Sequence, residues 1–262
     1  MQLESNVGTH AKITLMSNYD SIAQFYDSIV ADSTGKALWL EQLVQKYHPS
    51  SKSVLELACG TGSILEVLSA DYHVAGLDNS TEMLDVAHKK LPNIEFFQAN
   101  MADFKLEQYF DVVLCIYDSI NHLLNFSEWQ SMFEKVARHL NLDGLFIFDM
   151  NTVEFLNKLN SSQSSVSHFS KNTMTIGAEP NKEAITTLKI VVKERKTDGT
   201  TQTHKTNIPE TSFNIAKVQK AIEVHFEVLE KLGEQSFTEW TEIDNKIVFV
   251  CRLKKCKSQP SH

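Results

Sequence analysis

The sequence has no long apolar run. The longest stretch of consecutive apolar residues covers positions 112–117, whereas a helix that crosses a bilayer needs about 20. The N-terminus also lacks a basic region followed by an apolar core, which is the pattern of a secretory leader. We therefore expect a soluble, cytoplasmic protein with no membrane contact.

Metal-binding patterns are also missing. No two of the four cysteines, Cys59, Cys115, Cys251 and Cys256, are separated by two residues, and no two of the 10 histidines lie four positions apart. We predict no metal site, and we expect the cysteines to be reduced and at least partly buried.

Basic clusters are scarce as well. The formal net charge is −8, and the only concentration of positive charge is Arg252, Lys254, Lys255 and Lys257 near the C-terminus. Nucleic acid is therefore a disfavoured partner. The 262 residues, 42% of them hydrophobic, suffice for one main domain with room for an insertion.

Apolar runs alternate with helix-period segments through the first 150 residues, which is typical of βαβ units. Amphipathic segments at 22–30 and 37–47 precede the first strand. A capping box formed by Asn79 and Glu82 is expected to begin the helix after the second strand. The continuous apolar run of the fourth strand indicates a parallel sheet buried on both faces. The predicted strands are 54–57, 74–77, 94–97, 112–116 and 145–148.

This alternation stops near Asn151, where a Ser- and Thr-rich stretch leads into period-2 segments instead of another helix. Asp198-Gly199 offers a hairpin turn between two of these segments. We predict an inserted antiparallel subdomain over 152–211. The main domain then comprises 1–151 and 212–257, with a helix from Ile215 to Ile222 and final strands at 224–229 and 247–251.

The turn after the first strand carries the first chemical signal. Gly60 and Gly62 let backbone approach a ligand closely and present amide groups at a helix N-terminus. Asp78 ends the second strand, where its carboxylate can accept hydrogen bonds from both hydroxyls of a ribose. These features fit NAD or S-adenosylmethionine (SAM). Leu65 occupies the place of the third glycine of the NAD fingerprint, and no tyrosine is followed by lysine four residues later, which argues against hydride chemistry.

Four segments in order carry a family resemblance: Val-Leu-Glu-Leu-Ala-Cys-Gly-Thr-Gly at 54–62, Gly-Leu-Asp-Asn-Ser at 76–80, 97–104 and 110–119. They resemble the strand-end motifs of class I SAM-dependent methyltransferases. The resemblance implies a three-layer α/β Rossmann-like fold. Its seven-stranded sheet would be mostly parallel with an antiparallel last strand, and a small antiparallel β insertion would follow strand five.

The resemblance also implies cofactor contacts. Glu56 would orient the methionine amino group, Asp78 would bind the ribose, and Tyr26 would close over the cofactor. Asn100 departs from the family, which usually has aspartate there to accept from the adenine amino group, although the amide oxygen of asparagine can still accept. The full set implied is Tyr26, Glu56, Ala58, Gly60, Gly62, Asp78, Asn79, Met83, Asn100, Met101 and Cys115.

Residues 118–123 resemble the Ser-x-x-His-Leu segment of small-molecule N-methyltransferases. His122 is the candidate general base or substrate-orienting residue, because its ordinary pKa lies near neutrality, and Tyr117 is predicted to line the same site. The alternative for His122 is a structural histidine that bonds to nearby backbone.

The leading hypothesis is methyl transfer from SAM to a nitrogen or oxygen of a small molecule. We expect the insertion to cover the acceptor, although it could equally form a dimer surface, and the protein to be a monomer or homodimer. A nucleic-acid methyltransferase is the second reading, but the turn at 117–120 lacks the proline pair of base-modifying enzymes. A SAM-binding protein without catalysis is the third.

Overall fold

A computed structural model describes residues 18–30, 33–181, 185–233 and 238–255. Cys256, Lys257 and residues 182–184 of the predicted insertion lie outside the described residues. Within these ranges, no helix is long and apolar enough to cross a bilayer.

A seven-stranded sheet forms the centre of the molecule, in the order β10-β11-β5-β4-β1-β2-β3. Strands β1 to β5 run parallel, while β11 is antiparallel to both β5 and β10. The predicted fold class is therefore confirmed. The strands are β1 (Ser53–Leu57), β2 (His73–Asp78), β3 (Glu95–Gln98), β4 (Phe110–Cys115), β5 (Leu140–Asn151), β10 (Phe226–Gly233) and β11 (Lys246–Leu253).

Helices cover both faces of this sheet and make the fold three-layered. One apolar cluster joins α5 and α7 to one face, and a second joins α2 and α3 to the other. Side chains alternate between faces along each strand, so Leu55 and Leu57 belong to the first cluster while Val54 belongs to the second. The helices are α1 (Tyr26–Ile29), α2 (Ser33–Tyr47), α3 (Ser63–Leu68), α4 (Thr81–Lys90), α5 (Phe126–His139), α6 (Val153–Asn160) and α7 (Ile215–Ile222).

A separate four-stranded antiparallel sheet follows α6 in the order β6-β7-β8-β9, as the alternating pattern predicts. Its hairpin turn contains Gly199 at φ +85°. One face packs on the N-terminal segment, where Ile22 and Phe25 join a cluster with Val192 and Ile208. The strands are β6 (Ser165–Phe169), β7 (Asn172–Pro180), β8 (Thr186–Arg195) and β9 (Thr201–Glu210). The division of the chain into domains stays a prediction.

Three local predictions are wrong. The N-cap of α4 is Ser80, whose hydroxyl accepts from Met83 N, and not Asn79. Helix α6 occupies a stretch predicted to continue without another helix, because Thr152 caps it and Leu156 anchors it in the core. The segment at 22–30 is a 3₁₀ turn (Asp20–Phe25) followed by the short α1, and not one helix.

Gly76 in β2 provides a test of the packing beneath the first two strands. A Cβ there would lie 2.7 Å from both Cys59 Sγ and Phe96 Cδ1. We predict that Gly76→Ala lowers the free energy of unfolding by about 1–3 kcal/mol because these side chains cannot both move away. The measurement is urea denaturation. Gly35→Ala in α2 is the control, since nothing lies within 4 Å of its added Cβ; equal losses in the two variants would contradict the prediction.

Candidate active site

A cleft opens at the carboxyl ends of the parallel strands. Ala58 follows β1, Asp78 ends β2, Asn100 follows β3 and Tyr117 follows β4, and all four line the cleft. Its other lining residues are Asn18, Tyr19, Tyr26, Gly60, Leu77, Asn79, Met83, Ala99, Met101, Ser119, His122, Leu123, Glu128 and Ile208. Ligands of open α/β sheets bind at this edge.

The turn between β1 and α3 places backbone against the cleft. Ala58, Gly60 and Gly62 all have positive φ, at 52°, 53° and 75°. The two glycines adopt this conformation without steric strain, whereas the side chain of Ala58 makes it unfavourable. A Cβ on Gly60 would lie 3.6 Å from Tyr26 Cε1, so the Tyr26 ring lies directly over this turn. Gly62 is the N-cap of α3 but does not itself line the cleft.

Asp78 joins this turn to the next loop. Its Oδ2 accepts from Gly60 N at 2.8 Å, and its Oδ1 accepts from Ser80 N at 2.8 Å. Burial raises the pKa of Asp78, although the Ser80 and Gly60 amides oppose that shift. A carboxylate has about four acceptor positions, so two bonds to backbone leave capacity for hydroxyl donors from the cleft.

Glu56 lies beneath the cleft, in β1, and does not line it. The side chain is buried, and its Oε2 makes no hydrogen bond with any residue that the structure describes. Burial, followed by the nearby Asp78 carboxylate, raises the pKa of Glu56 well above its usual range. A buried carboxyl oxygen without a hydrogen-bond partner is suited to bind a cationic or hydrogen-bond-donating group of a ligand.

Asn100 and Met101 form the wall opposite Asn79 and Met83, and all four line the cleft. Asn100 Oδ1, which was expected to accept a hydrogen bond from a ligand, already accepts one from Ala102 N at 2.8 Å. Cys115 does not line the cleft: it is fully buried, with its Sγ 4.0 Å from Met101 Sδ.

The turn after β4 is unusual because Tyr117 and Asp118 both have positive φ, at 59° and 53°. The buried Asp149 carboxylate accepts from Tyr117 N at 3.2 Å and from Asp118 N at 2.5 Å, and it pairs with Lys36 Nζ at 2.6 Å. The same ammonium lies 4.4 Å from the centre of the Tyr117 ring, and the Tyr117 hydroxyl donates to Ser33 Oγ. These bonds fix the ring at the edge of the cleft.

His122 ends a 3₁₀ turn, Ser119–His122, that follows. Its Nε2 is 3.1 Å from the Tyr19 hydroxyl, and no described residue makes a regular hydrogen bond to its buried Nδ1. Burial lowers the pKa of His122, while the Asp118 carboxylate and the Pro209 carbonyl act in the opposite direction. The imidazole is therefore neutral near pH 7 and able to accept a proton.

Tyr19 connects the two ends of the cleft. Its ring makes edge contacts with both Tyr26 and His122, at centroid distances of 5.8 and 5.4 Å. Tyr26 and His122 were predicted from sequence but Tyr19 was not, because nothing in the local pattern links Tyr19 to His122, more than 100 residues away.

Part of the chain is similar in sequence to known methyltransferases. Residues 54–144 match the family described as a methyltransferase domain. The chain is similar to dTDP-3-amino-3,6-dideoxy-alpha-D-glucopyranose N,N-dimethyltransferase of Streptomyces fradiae, with 34% identity over 134 residues, which is 49% of this chain and 52% of the relative. The chain thus spans about half the length of the curated relatives it matches.

Solved structures extend the likeness across the fold. A SAM-dependent methyltransferase of Clostridium acetobutylicum superposes with a TM-score of 0.81 at 19% identity, covering 91% of this chain and 100% of its own. SAM-bound CalS10, an amino pentose methyltransferase of Micromonospora echinaspora, gives 0.71 at 17% identity, covering 88% and 95%. The chain therefore shares the fold of these methyltransferases, and residues 54–144 match a methyltransferase domain.

A polar cluster links the seven-stranded sheet to the antiparallel sheet. Asn151 Nδ2 donates to Asp118 Oδ2 at 2.9 Å and to Glu210 Oε2 at 3.1 Å, and Lys246 Nζ pairs with Asp118 Oδ1 at 2.5 Å. Burial would raise the pKa of Asp118, but Lys246 holds it below its usual range. Burial and then Asp118 raise the pKa of Glu210 to about 8. Sequence reasoning missed this cluster, whose members are all far apart in the chain.

Glu210 should make stability depend on pH. Its folded pKa of about 8 lies above its ordinary value of 4.5, so ionisation destabilises the fold progressively as pH rises through that window. Glutamine cannot ionise, and its amide can donate toward Asn151 Oδ1, to which no described group donates. We predict that Glu210→Gln melts at a higher temperature than the unmodified protein at pH 8.5, with a smaller gain at pH 5.5.

Thermal unfolding at the two pH values measures this difference. Glu179→Gln, on the exposed end of β7, is the matched control because its side chain is 63% exposed. If Glu210→Gln changed the melting temperature by the same amount at both pH values, the proton would not belong to the Glu210 carboxyl.

Proposed function

We propose that this protein transfers a methyl group from SAM to a nitrogen of a small-molecule amine. The observation that carries the proposal is one continuous cleft, with Asp78 and the Gly60 turn at one end and the neutral His122 beside Tyr117 at the other. One end suits a nucleoside and the other suits a proton-releasing acceptor.

The residues at the first end fit SAM. Asp78 has free acceptor capacity for the ribose hydroxyls, and the orphaned Glu56 Oε2 suits the methionine amino group, directly or through water. Tyr26 would cover the cofactor above the Gly60 turn. Asn79, Met83, Asn100 and Met101 would surround the adenine. The buried Cys115 would support Met101 without contacting the cofactor. When bound, SAM supplies an activated methyl group on a sulfonium.

The chain's own contribution to the reaction is alignment and proton acceptance. Methyl transfer is an in-line displacement, so the residues around the acceptor must hold its nucleophile on the axis of the carbon–sulfur bond. Tyr117, fixed by Asp149 and Ser33, forms one wall for the acceptor. His122, held by Tyr19, is the group placed to receive the proton that the acceptor loses.

An amine is the preferred acceptor class for two reasons. Near neutral pH an alkyl amine is mostly protonated, and it needs a neutral base such as His122 to expose its lone pair. In addition, the similar protein from Streptomyces fradiae is an amino-sugar N,N-dimethyltransferase, and CalS10 is an amino pentose methyltransferase. A nucleotide-linked amino sugar is therefore the first acceptor to test. The net charge of −8 weighs against nucleic acid.

The test is incubation of the protein with methyl-labelled SAM and matched pairs of nucleotide-linked sugars that carry either an amino group or a hydroxyl at the same position. Mass spectrometry of the products should find the label on nitrogen. Label on oxygen, or label incorporated only into transfer RNA, would contradict the proposed acceptor class.

Asp78 tests the cofactor site. We predict that Asp78→Ala weakens SAM binding by about 100-fold or more, because a charged acceptor of two hydroxyl groups is lost along with the support of the Gly60 turn. Isothermal titration calorimetry measures the affinity. Asp71→Ala, an exposed aspartate at the opposite edge of the sheet, should bind normally, and unchanged affinity in Asp78→Ala would remove Asp78 from the cofactor site.

His122 tests the acceptor site. We predict that His122→Ala lowers kcat by about 10²–10⁴-fold while SAM affinity is retained, since general-base catalysis contributes on that scale. The unmodified enzyme should lose kcat/KM as pH falls through the lowered pKa of His122, and the variant should lack that limb. His168→Ala in β6 is the control because its side chain is exposed. Full activity in His122→Ala would assign the residue a structural role.

A further inference from the structure

A carboxylate that the sequence analysis did not single out lines the cleft beside Asn100. Glu128 is the third residue of α5, and its Oε2 accepts from both Asn125 N at 3.0 Å and Asn125 Nδ2 at 2.9 Å. That bonding is a capping box, a common structural role for glutamate at this position. The cap uses only one oxygen: within the part of the chain that the structure describes, Oε1 has no hydrogen-bond partner.

Neighbouring contacts fix where this carboxylate lies. Trp129 Nε1 donates to Leu123 O at 2.8 Å, and Ser131 Oγ donates to Ala102 O at 2.7 Å. The first turn of α5 is therefore held between Leu123 and the turn at 100–102. Glu128 lies on that turn and faces the same cleft as Asn100, Met101 and Leu123.

Asn100 explains why a second acceptor would strengthen recognition there. Its Oδ1 accepts from Ala102 N, which leaves this neutral amide one oxygen lone pair and an NH₂ donor. The Watson–Crick edge of adenine presents an acceptor, N1, beside a donor, the exocyclic amino group. The NH₂ group can satisfy N1, whereas a charged carboxylate oxygen binds the amino group more strongly than the shared, neutral amide oxygen does.

We propose that Glu128 Oε1 accepts a hydrogen bond from the exocyclic amino group of the bound cofactor's adenine, and so takes over the recognition that a carboxylate at position 100 would otherwise provide. This inference rests on the proposed function, because it requires SAM in the cleft. It makes Glu128 a residue that determines base specificity, in addition to its role in capping α5.

The test compares two product analogues by calorimetry. S-adenosylhomocysteine carries the amino group, whereas S-inosylhomocysteine carries a carbonyl oxygen that a carboxylate repels. The unmodified protein should prefer the adenosyl compound by about tenfold or more. Glu128→Gln keeps the cap, since glutamine also serves in a capping box, but its amide has no charge and can donate to the carbonyl. The preference should fall to within about twofold.

A second variant makes the assignment specific. Asn100→Asp combined with Glu128→Gln restores a carboxylate beside the same edge, with one oxygen for Ala102 N and one for the amino group, and should restore the preference for the adenosyl compound. Glu134→Gln on the same helix, which pairs with Arg138 away from the cleft, is the control for loss of charge. Unfolding temperatures confirm that the cap is retained.

The outcomes separate this inference from the function on which it rests. An unchanged adenosyl preference in Glu128→Gln, or a loss of acceptor affinity without a change in analogue affinity, would overturn the role of Glu128 and leave SAM binding intact. Failure of the unmodified protein to bind S-adenosylhomocysteine at all would overturn both.

Discussion

The buried carboxylate of Asp149 is the constraint on which the His122 end of the cleft depends. It lies near the carboxyl end of β5 with no solvent exposure, where an isolated charge would be prohibitively costly. Lys36 from α2 and the amides of Tyr117 and Asp118 compensate that charge. Because two successive amides must point at one carboxylate, the chain leaves β4 through two left-handed residues, and that turn directs His122 toward the cleft.

The Gly60 end of the cleft uses the same arrangement. Asp78 ends β2 and accepts two backbone amides, those of Gly60 and Ser80. In both places a buried carboxylate holds a loop that would otherwise lack a partner for its amides. The two carboxylates differ in how far their partners lie from them in sequence. Asp78 binds amides 18 and 2 residues away, whereas Asp149 binds amides 32 and 31 residues away, on the far side of α5.

That difference explains how much could be predicted from sequence. The parallel sheet and the glycine turn followed by Asp78 leave periodic or closely spaced signals, whereas the antiparallel last strand was implied by the family resemblance. The fold class was predicted correctly. The partnership of Tyr19 with His122, and that of Asp118 with Asn151, Glu210 and Lys246, has no such signal. These contacts join residues that only the tertiary fold brings together. Cys115 shows the converse, since its position at a strand end predicted a cleft contact, whereas its side chain is buried in the core with its Sγ 4.0 Å from Met101 Sδ.

The second sheet contributes both to the cleft and to the polar cluster beside it. Ile208 in β9 lines the cleft, and Glu210, two residues later on the same face of the strand, reaches Asn151 at the end of β5. Asn151 in turn donates to Asp118, the residue that raises the pKa of His122 against the effect of burial. The charge near the candidate base thus depends on whether β9 is docked. Since Glu210 carries a proton near neutral pH, docking adds a polar contact without placing a second negative charge beside Asp118.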